Sequence, residues 1–146
     1  MRNRKRQRGF TLVELIIVLA IIGILAGAVL LNVGPQREKA RRTRALADLK
    51  TIESALEIYN ADNGNYPTTQ QGLQALLTEP TSAPEADNWQ GPYLKNRRTV
   101  PLDPWGNEYI YLSPGEENPD SFDLYSYGKD GRPGGEGYDA DVTLWE

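Results

Sequence analysis

The sequence contains no cysteine and no histidine among its 146 residues, and each absence removes a class of function. Without cysteine, no disulfide can staple the fold, and neither thiol catalysis nor a thiolate metal site can form. Without histidine, the chain lacks the commonest general base and the commonest metal ligand. Any metal site would therefore be built from oxygen ligands, which suit Ca²⁺ or Mg²⁺.

Positive charge is scarce outside the first nine residues. Five of the 16 basic residues lie in the segment 1–9, so the rest of the chain has 11 basic against 20 acidic side chains, a net charge of −9. Because binding to nucleic acid needs a basic footprint, nucleic acid is not an expected partner. The glycine-rich segment near the C-terminus is a poor nucleotide cradle, since it has neither a phosphate-loop lysine nor a following helix.

One long apolar run dominates the N-terminal part of the sequence. Its core, Leu15–Leu31, has 17 residues without a polar side chain, and about 20 apolar residues suffice to span a membrane as a helix. A cleaved signal peptide has an apolar region of about 7–15 residues, and here the small residues Ala26–Ala28 lie inside the run rather than after it. A plain membrane anchor explains the length but not Glu14, because an unpaired charge within a bilayer costs about 2.5–3.5 kcal/mol.

The start of this run, GFTLVE, resembles the N-terminus of type IV pilins and type II secretion pseudopilins, which carry a G-F-T-L-x-E motif. Gly9, Phe10, Thr11, Leu12 and Glu14 all match, with a basic leader before them and an apolar helix after them. The resemblance implies that a prepilin peptidase cleaves between Gly9 and Phe10 and that Phe10 is then N-methylated. It also implies that Glu14 neutralises the terminus of an adjacent subunit during filament growth. Residues four apart on a helix are neighbours, so an acid at 14 and an amine at 10 can interact.

Three further motifs narrow the resemblance to one family. The segments PLDPWGNEY at 101–109, GNYP at 64–67 and the C-terminal YGKDG…GGEG…DAD look like the major pseudopilin of type II secretion, the general secretion pathway protein G family. This resemblance implies a filament subunit of the type II secretion pseudopilus, which helps to export folded proteins across the outer membrane. The partners it implies are further copies of the chain, minor pseudopilins, the prepilin peptidase and the inner-membrane assembly platform.

Three other functions stay open at this point. A surface type IV pilin or a competence pseudopilin shares the N-terminal motif, although surface pilins commonly carry a disulfide loop. A membrane-tethered calcium-binding adaptor would bind the ion without forming filaments. An anchored enzyme is the alternative from another class, but we expect no enzymatic activity, because the chain has neither histidine nor cysteine and no recognisable pair of catalytic acids.

The sequence predicts three segments. Residues 1–9 form the cleaved leader, 10–34 the transmembrane and assembly helix, and 35–146 the globular domain, with a kink or break expected at Gly34–Pro35. Basic residues flank the apolar run on both sides, so charge alone leaves the orientation open. The resemblance places the N-terminus in the cytoplasm and the globular domain in the periplasm, in a single-pass protein of the bacterial inner membrane that assembles into a periplasmic pseudopilus.

The fold class predicted for the chain is α+β and type IV pilin-like, a long N-terminal helix packed on a small antiparallel sheet. The amphipathic half of the helix covers residues 36–62, and an apolar stripe is expected to pack on the core: Leu46, Leu49, Ile52, Leu56 and Tyr59. A short helix is predicted from Thr68 or Thr69 to about Leu77. The predicted strands are Tyr109–Leu112, Phe122–Tyr127 and Val142–Trp145. The basic cluster between residues 37 and 44 is interpreted as a solvated face, with acidic lipid or a neighbouring subunit as alternatives.

The acidic C-terminal loop is the candidate metal site. Four carboxylates, Asp130, Glu136, Asp139 and Asp141, lie among or just after five glycines. Carboxylate oxygens, free carbonyls and flexible glycines suit Ca²⁺, although EF-hand spacing is absent and a solvated turn is the alternative. Major pseudopilins bind calcium in the matching loop. The ligands this resemblance implies are the side chains of Asp130, Asp141 and, less closely matched, Asp139, with main-chain oxygens of Tyr127, Arg132 and Gly135.

Overall fold

The computed structural model describes residues 10–145, and for residues 28–33 it describes the backbone alone. The predicted leader 1–9, which includes Gly9, lies outside the described residues. The chain divides after Arg37 into two compact units. Its elements are helix α1 (Leu12–Asn63), a 3₁₀ turn (Leu73–Leu76), strand β1 (Ile110–Leu112) and strand β2 (Asp123–Tyr125).

In the first unit, the apolar side chains of α1 are exposed on all sides between residues 12 and 27. From Phe10 to Leu25 the large apolar side chains have 47–80% of their surface exposed. A helix that is apolar all round is stable only where other apolar groups cover it. Among the residues described, no helix combines the length and the apolar character required to cross a membrane.

Helix α1 continues through Gly34–Pro35, so of the kink or break predicted at this position, a break is wrong. Pro35 lies inside the helix. A proline removes one backbone hydrogen bond and crowds the turn before it. Long helical segments flank Pro35 on both sides. Their backbone hydrogen bonds keep the chain helical where the one bond at Pro35 is missing.

In the second unit, the rest of α1 forms one wall of the core. Four of the five predicted stripe residues are at most 1% exposed: Leu49, Ile52, Leu56 and Tyr59. The prediction for Leu46 is wrong, since this side chain is 38% exposed and Ala45, one residue earlier, is fully buried instead. One residue rotates the side chain by about 100° around the helix, which moves Leu46 off the buried face. The buried face therefore begins at Ala45 with the same spacing of three and four.

The sheet is antiparallel, with Tyr111 of β1 opposite Leu124 of β2. Both side chains are buried against the core, at 7% and 1% exposure. The two strands are three residues each, shorter than predicted, and the predicted strand Val142–Trp145 is reduced to a single bridge between Ser126 and Val142. A long helix with a small antiparallel sheet confirms the α+β, pilin-like class.

The predicted short helix is also shorter than expected. It consists of the 3₁₀ turn Leu73–Leu76, because Gly72 before it has φ 61° and ψ −170°, which is not helical. Thr68 therefore caps a separate turn, in which its hydroxyl accepts a hydrogen bond from the amide of Gln71 at 3.2 Å. Trp89 covers the 3₁₀ turn and donates from its indole nitrogen to the carbonyl of Ala75 at 3.0 Å.

Candidate functional site

The predicted assembly residue Glu14 lies in the first turn of α1. Thr11 caps this turn, because its hydroxyl accepts a hydrogen bond from the backbone amide of Glu14 at 3.2 Å. A threonine followed three residues later by glutamate is the capping-box pattern, and an acid in the first turn interacts favourably with the helix dipole. Glu14 and Phe10 are both exposed, Phe10 at 80%. The side chains that the motif assigns to processing and assembly are thus accessible on the isolated chain.

The DPWGN turn connects the sheet to the acidic loop through Asp103. This carboxylate is 4% exposed. Its Oδ1 accepts from the amides of Trp105 at 3.0 Å and Asn107 at 2.8 Å, and its Oδ2 accepts from the hydroxyl of Ser126 at 2.6 Å. Gly106 completes the turn at φ 97°. Asp103 therefore fixes the shape of the turn and binds it to the segment that follows β2.

Two further contacts extend this connection in both directions. The indole nitrogen of Trp105 donates to Glu38 on α1 at 2.9 Å. The side-chain amide of Asn107 donates to the carbonyl of Gly128 at 3.3 Å, where the acidic loop begins. The motif PLDPWGNEY thus ties the helix to the start of the loop, which is a structural reason for this residue pattern.

The structure places the three predicted carboxylate ligands in different surroundings. Asp130 accepts a hydrogen bond from the amide of Arg132 at 3.2 Å, and Asp141 accepts one through Oδ2 from the amide of Gly134 at 3.0 Å. Asp139 instead lies 3.8 Å from the exposed amine of Lys129. Between residues 10 and 145, no three acidic side chains converge in a metal-binding cluster. A cation in this loop would therefore depend on main-chain oxygens as well as on carboxylates.

Asp141 has the one feature of this loop that points to a cation. Its Oδ1 is buried and, within the described residues, has no hydrogen-bond partner. A buried polar atom without a partner costs about 1–3 kcal/mol, and a bound cation would remove that cost. Among the described residues, no backbone amide in turns or loops donates to the main-chain oxygens of Tyr127, Arg132 or Gly135. The oxygens that the resemblance implies are thus available, and the donor set fits a hard cation such as Ca²⁺.

Two glycines let the acidic loop fold back on itself. Gly128 has φ 72°, and a methyl group on it would lie 2.8 Å from the carbonyl oxygen of Ala140. Gly135 has φ 89°, and a methyl group there would collide with the carbonyl of Asp139. Side chains rarely adopt this left-handed backbone, so glycine is required at both positions for the close approach.

Tyr125 lies next to the acidic loop, and the negative charge of the loop contributes to its raised pKa. Burial, the neighbouring hydroxyl of Tyr127 and the negative charge of Asp141 together raise the pKa of Tyr125 to about 12. The phenol therefore stays protonated at all ordinary pH values. It contributes a neutral hydroxyl beside the loop rather than a further anionic ligand.

The interpretation of the basic cluster between residues 37 and 44 as a solvated face is wrong for Arg42. Its guanidinium is partly buried and donates to the carbonyl oxygens of Ala140 at 2.5 Å and Asp141 at 3.1 Å. Its neighbour Arg44 is exposed and lies 3.8 Å from Asp48. One member of the cluster is thus part of the loop's own structure, because its long side chain reaches inward from α1.

Asp123 is a second buried carboxylate that the sequence did not single out. It is 2% exposed, and four N–H groups surround it. Its Oδ2 accepts from the amides of Glu116 at 2.6 Å and Glu117 at 2.8 Å, and its Oδ1 accepts from the amide of Asn118 at 3.0 Å and its side chain at 2.8 Å. Burial alone would raise the pKa of Asp123, but these hydrogen bonds outweigh it and hold the pKa below its ordinary value. The carboxylate organises the turn between β1 and β2.

Of these missed residues, Asp103 alone carries a usable sequence signal. An aspartate before Pro-x-Gly is typical of a turn in which its side chain accepts from the following amides. Asp123 falls within an alternating strand pattern, and Arg42 falls within a run of basic residues. Neither pattern distinguishes a buried, hydrogen-bonded side chain from a solvated one.

The chain is similar to known proteins at the level of family, of individual sequences and of a solved structure. Residues 32–145 match the family described as type II secretion system (T2SS), protein G, and residues 4–30 match the prokaryotic N-terminal methylation motif. The chain is 48% identical over 145 residues to the type II secretion system core protein G of Pseudomonas aeruginosa, with 99% of each chain covered. It is 44% identical over 146 residues to the protein of that name from Escherichia coli, with 99% of this chain and 95% of that one covered.

A solved structure gives the same result. The crystal structure of the major pseudopilin from the type 2 secretion system of enterohaemorrhagic Escherichia coli superposes with a TM-score of 0.63 at 39% sequence identity. The match covers 78% of this chain and 94% of that chain. The sequence matches and the structural match therefore point to the same family.

Proposed function

This chain belongs to the type II secretion system protein G family and has the role of a major pseudopilin, and from this premise we propose how its residues serve a membrane-anchored periplasmic filament. The comparisons do not favour a surface pilin, a competence pseudopilin or a calcium adaptor. The subunit is structural, and we infer that it has no enzymatic activity of its own.

The observation that supports polymerisation is the exposed apolar surface of α1 in the first unit. The large apolar side chains from Phe10 to Leu25 are 47–80% exposed. Such a surface needs apolar neighbours, which a bilayer supplies before assembly and other copies of the same helix supply in a filament. The transfer of this helix from lipid to a helical bundle is, on this proposal, the assembly step.

Glu14 would fix the alignment of neighbouring subunits during that assembly step. After cleavage between Gly9 and Phe10, the chain would begin with an N-methylated amine at Phe10. A charge in apolar surroundings is tolerated only when paired, so Glu14 of one subunit would pair with the Phe10 amine of the next. The capping contact with Thr11 supports this role, because it orders the first turn that carries Glu14.

The topology we propose is single-pass, with the basic leader in the cytoplasm of the bacterial cell and the globular unit in the periplasm. The prepilin peptidase would process the leader, and the inner-membrane platform would add subunits to a pseudopilus completed by minor pseudopilins. The energy for export of folded proteins would come from these other components.

We also propose that the acidic loop binds Ca²⁺ through Asp141 and Asp130, with Asp139 and the main-chain oxygens of Tyr127, Arg132 and Gly135 as further ligands. The unpartnered buried oxygen of Asp141 supports this site. When bound, the ion would supply a cross-link to a domain that has no disulfides. The chain's own residues would hold the loop in shape for it, and the glycines would allow the close turns.

Polymerisation is tested by comparing the unmutated chain with Glu14→Ala in cells that contain the peptidase and the platform. We expect both proteins to insert into the inner membrane and the variant to form few or no filaments by electron microscopy. Glu79→Ala removes an exposed acid from the globular unit and serves as the control, with normal filaments expected. Normal filaments from Glu14→Ala would refute the proposed role of this residue.

A further inference from the structure

We propose that Arg42 is a positioning residue for the calcium loop. From helix α1 it holds the main chain of Ala140 and Asp141 in the arrangement that presents Asp141 to a cation. The inference rests on the calcium site proposed above.

The guanidinium of Arg42 contacts two adjacent main-chain carbonyls at once. Nη1 of Arg42 donates to the carbonyl of Ala140 at 2.5 Å and Nη2 donates to the carbonyl of Asp141 at 3.1 Å, across 98 and 99 residues of sequence. A guanidinium presents its N–H groups in a rigid planar fork, so it can hold two adjacent carbonyls at once. Hydrogen bonds from a charged donor are also stronger than those between neutral groups.

Further hydrogen bonds fix the segment that contains Ala140 and Asp141. The amide of Asp141 donates to the carbonyl of Gly134 at 3.2 Å, and the amide of Gly134 donates to Oδ2 of Asp141 at 3.0 Å. Next to it, Val142 pairs with Ser126 through backbone hydrogen bonds of 2.8 and 3.0 Å. With the backbone fixed by Arg42 and Oδ2 fixed by Gly134, the buried Oδ1 is the atom left for a ligand.

Arg42 also restricts which carbonyls the ion can use. The main-chain oxygens of Ala140 and Asp141 point at the guanidinium, so they are not free to bind a cation. The expected main-chain ligands belong to the earlier part of the loop sequence: Tyr127, Arg132 and Gly135. Arg42 would therefore leave the carboxylate of Asp141 to the ion, while it occupies the main-chain oxygens of Ala140 and Asp141.

Charge and positioning predict opposite effects when Arg42 is replaced. A guanidinium near a Ca²⁺ ion repels it, so if charge alone mattered, Arg42→Met would bind calcium more tightly. If Arg42 positions Asp141, the same variant binds calcium more weakly. Arg42→Lys separates the two further, because lysine keeps the charge but cannot form the planar fork.

The experiment is calcium titration calorimetry on the full chain, solubilised in detergent and stripped of metal with chelator. We expect the dissociation constant to rise roughly 10-fold for Arg42→Met and for Arg42→Lys, a typical size for coupling between two sites. Arg44→Met removes a neighbouring exposed charge and should change the constant less than two-fold. Hydrogen exchange without calcium gives a second measurement, in which the amides of Gly134 and Asp141 should exchange faster in the Arg42 variants.

The outcomes distinguish this inference from the calcium site itself. If the unmutated chain binds no calcium, both the site and the positioning role are overturned. If it binds calcium and Arg42→Lys binds equally well or more tightly, with unchanged exchange at Gly134 and Asp141, the positioning role alone fails. Should Arg42→Met prove unfolded by tryptophan fluorescence, Arg42→Lys decides the question.

Discussion

Replacing Asp123 by asparagine tests whether a buried carboxylate organises the turn between the strands. Four N–H groups converge on it, two on each oxygen. Asparagine has nearly the same shape, but an amino group takes the place of one oxygen. Two of the four donors would then face another donor and lose their acceptor.

The size of the effect follows from those two donors. A buried donor left without a partner costs about 1–3 kcal/mol, and partial access to water at Glu116 and Glu117 favours the lower half of that range. We therefore expect Asp123→Asn to lose about 2–4 kcal/mol, a large fraction of the roughly 5–15 kcal/mol of a typical domain. For a domain of this size the melting temperature would fall by roughly 10–20 °C. Asp120→Asn, an exposed change in the same turn, should cost at most about 0.5 kcal/mol.

The pH dependence gives the sign of the charge effect. The pKa of Asp123 is lowered in the folded protein, so its contribution is fully present above the ordinary value of 3.8 and is lost as the pH falls through the lower, folded pKa. Urea unfolding followed by tryptophan fluorescence reports on the globular unit, since Trp89, Trp105 and Trp145 all lie in it. The stability difference between the two proteins should be constant from about pH 7 to pH 5 and narrow below about pH 4. A difference below 1 kcal/mol at pH 7, or one that does not change on acidification, would refute the reasoning.

Two further changes probe the acidic loop. Asp130→Ala should lower the melting temperature measured in calcium and abolish the calcium-dependent shift; equal melting of the unmutated protein with calcium and with chelator would contradict the proposed site. Gly135→Ala should destabilise the protein by more than Gly134→Ala, because both glycines have φ near 89° but only at Gly135 would the new methyl group collide with the carbonyl of Asp139. The left-handed backbone alone costs about 1–3 kcal/mol for a residue other than glycine, so equal urea midpoints for the two variants would show that the close contact is unimportant.

The fold could be predicted from the sequence wherever periodicity was strong. The spacing of Leu49, Ile52, Leu56 and Tyr59 predicted the buried face of α1. Turn residues predicted the position of β1, and alternation predicted that of β2. The predictions were wrong in detail where tertiary contacts, rather than local sequence, determine the structure. Ala45 replaces Leu46 on the buried face, since Ala45 is fully buried and Leu46 is 38% exposed. Pro35 does not break α1, since a proline signals a lost hydrogen bond but not whether its neighbours can sustain the helix.

The candidate site could be predicted only in part, because sequence patterns do not show which polar groups are buried. The motif at Gly9, Phe10 and Glu14 is local and can be read directly, and the acidic residues of the loop are visible as a cluster. The contacts of Arg42 with Ala140 and Asp141 join residues nearly 100 positions apart, and no local pattern encodes them. Asp103 lies between these cases, since its turn is visible in the sequence but its bond to Ser126 is not.

The most direct test of the account is the intact mass of the membrane-extracted protein, together with sequencing of its N-terminal peptide. We expect a chain that begins at Phe10 and is heavier by one methyl group than the cleaved sequence. A chain that still begins at Met1, in cells that contain the prepilin peptidase, would contradict the processing step on which the proposed filament depends.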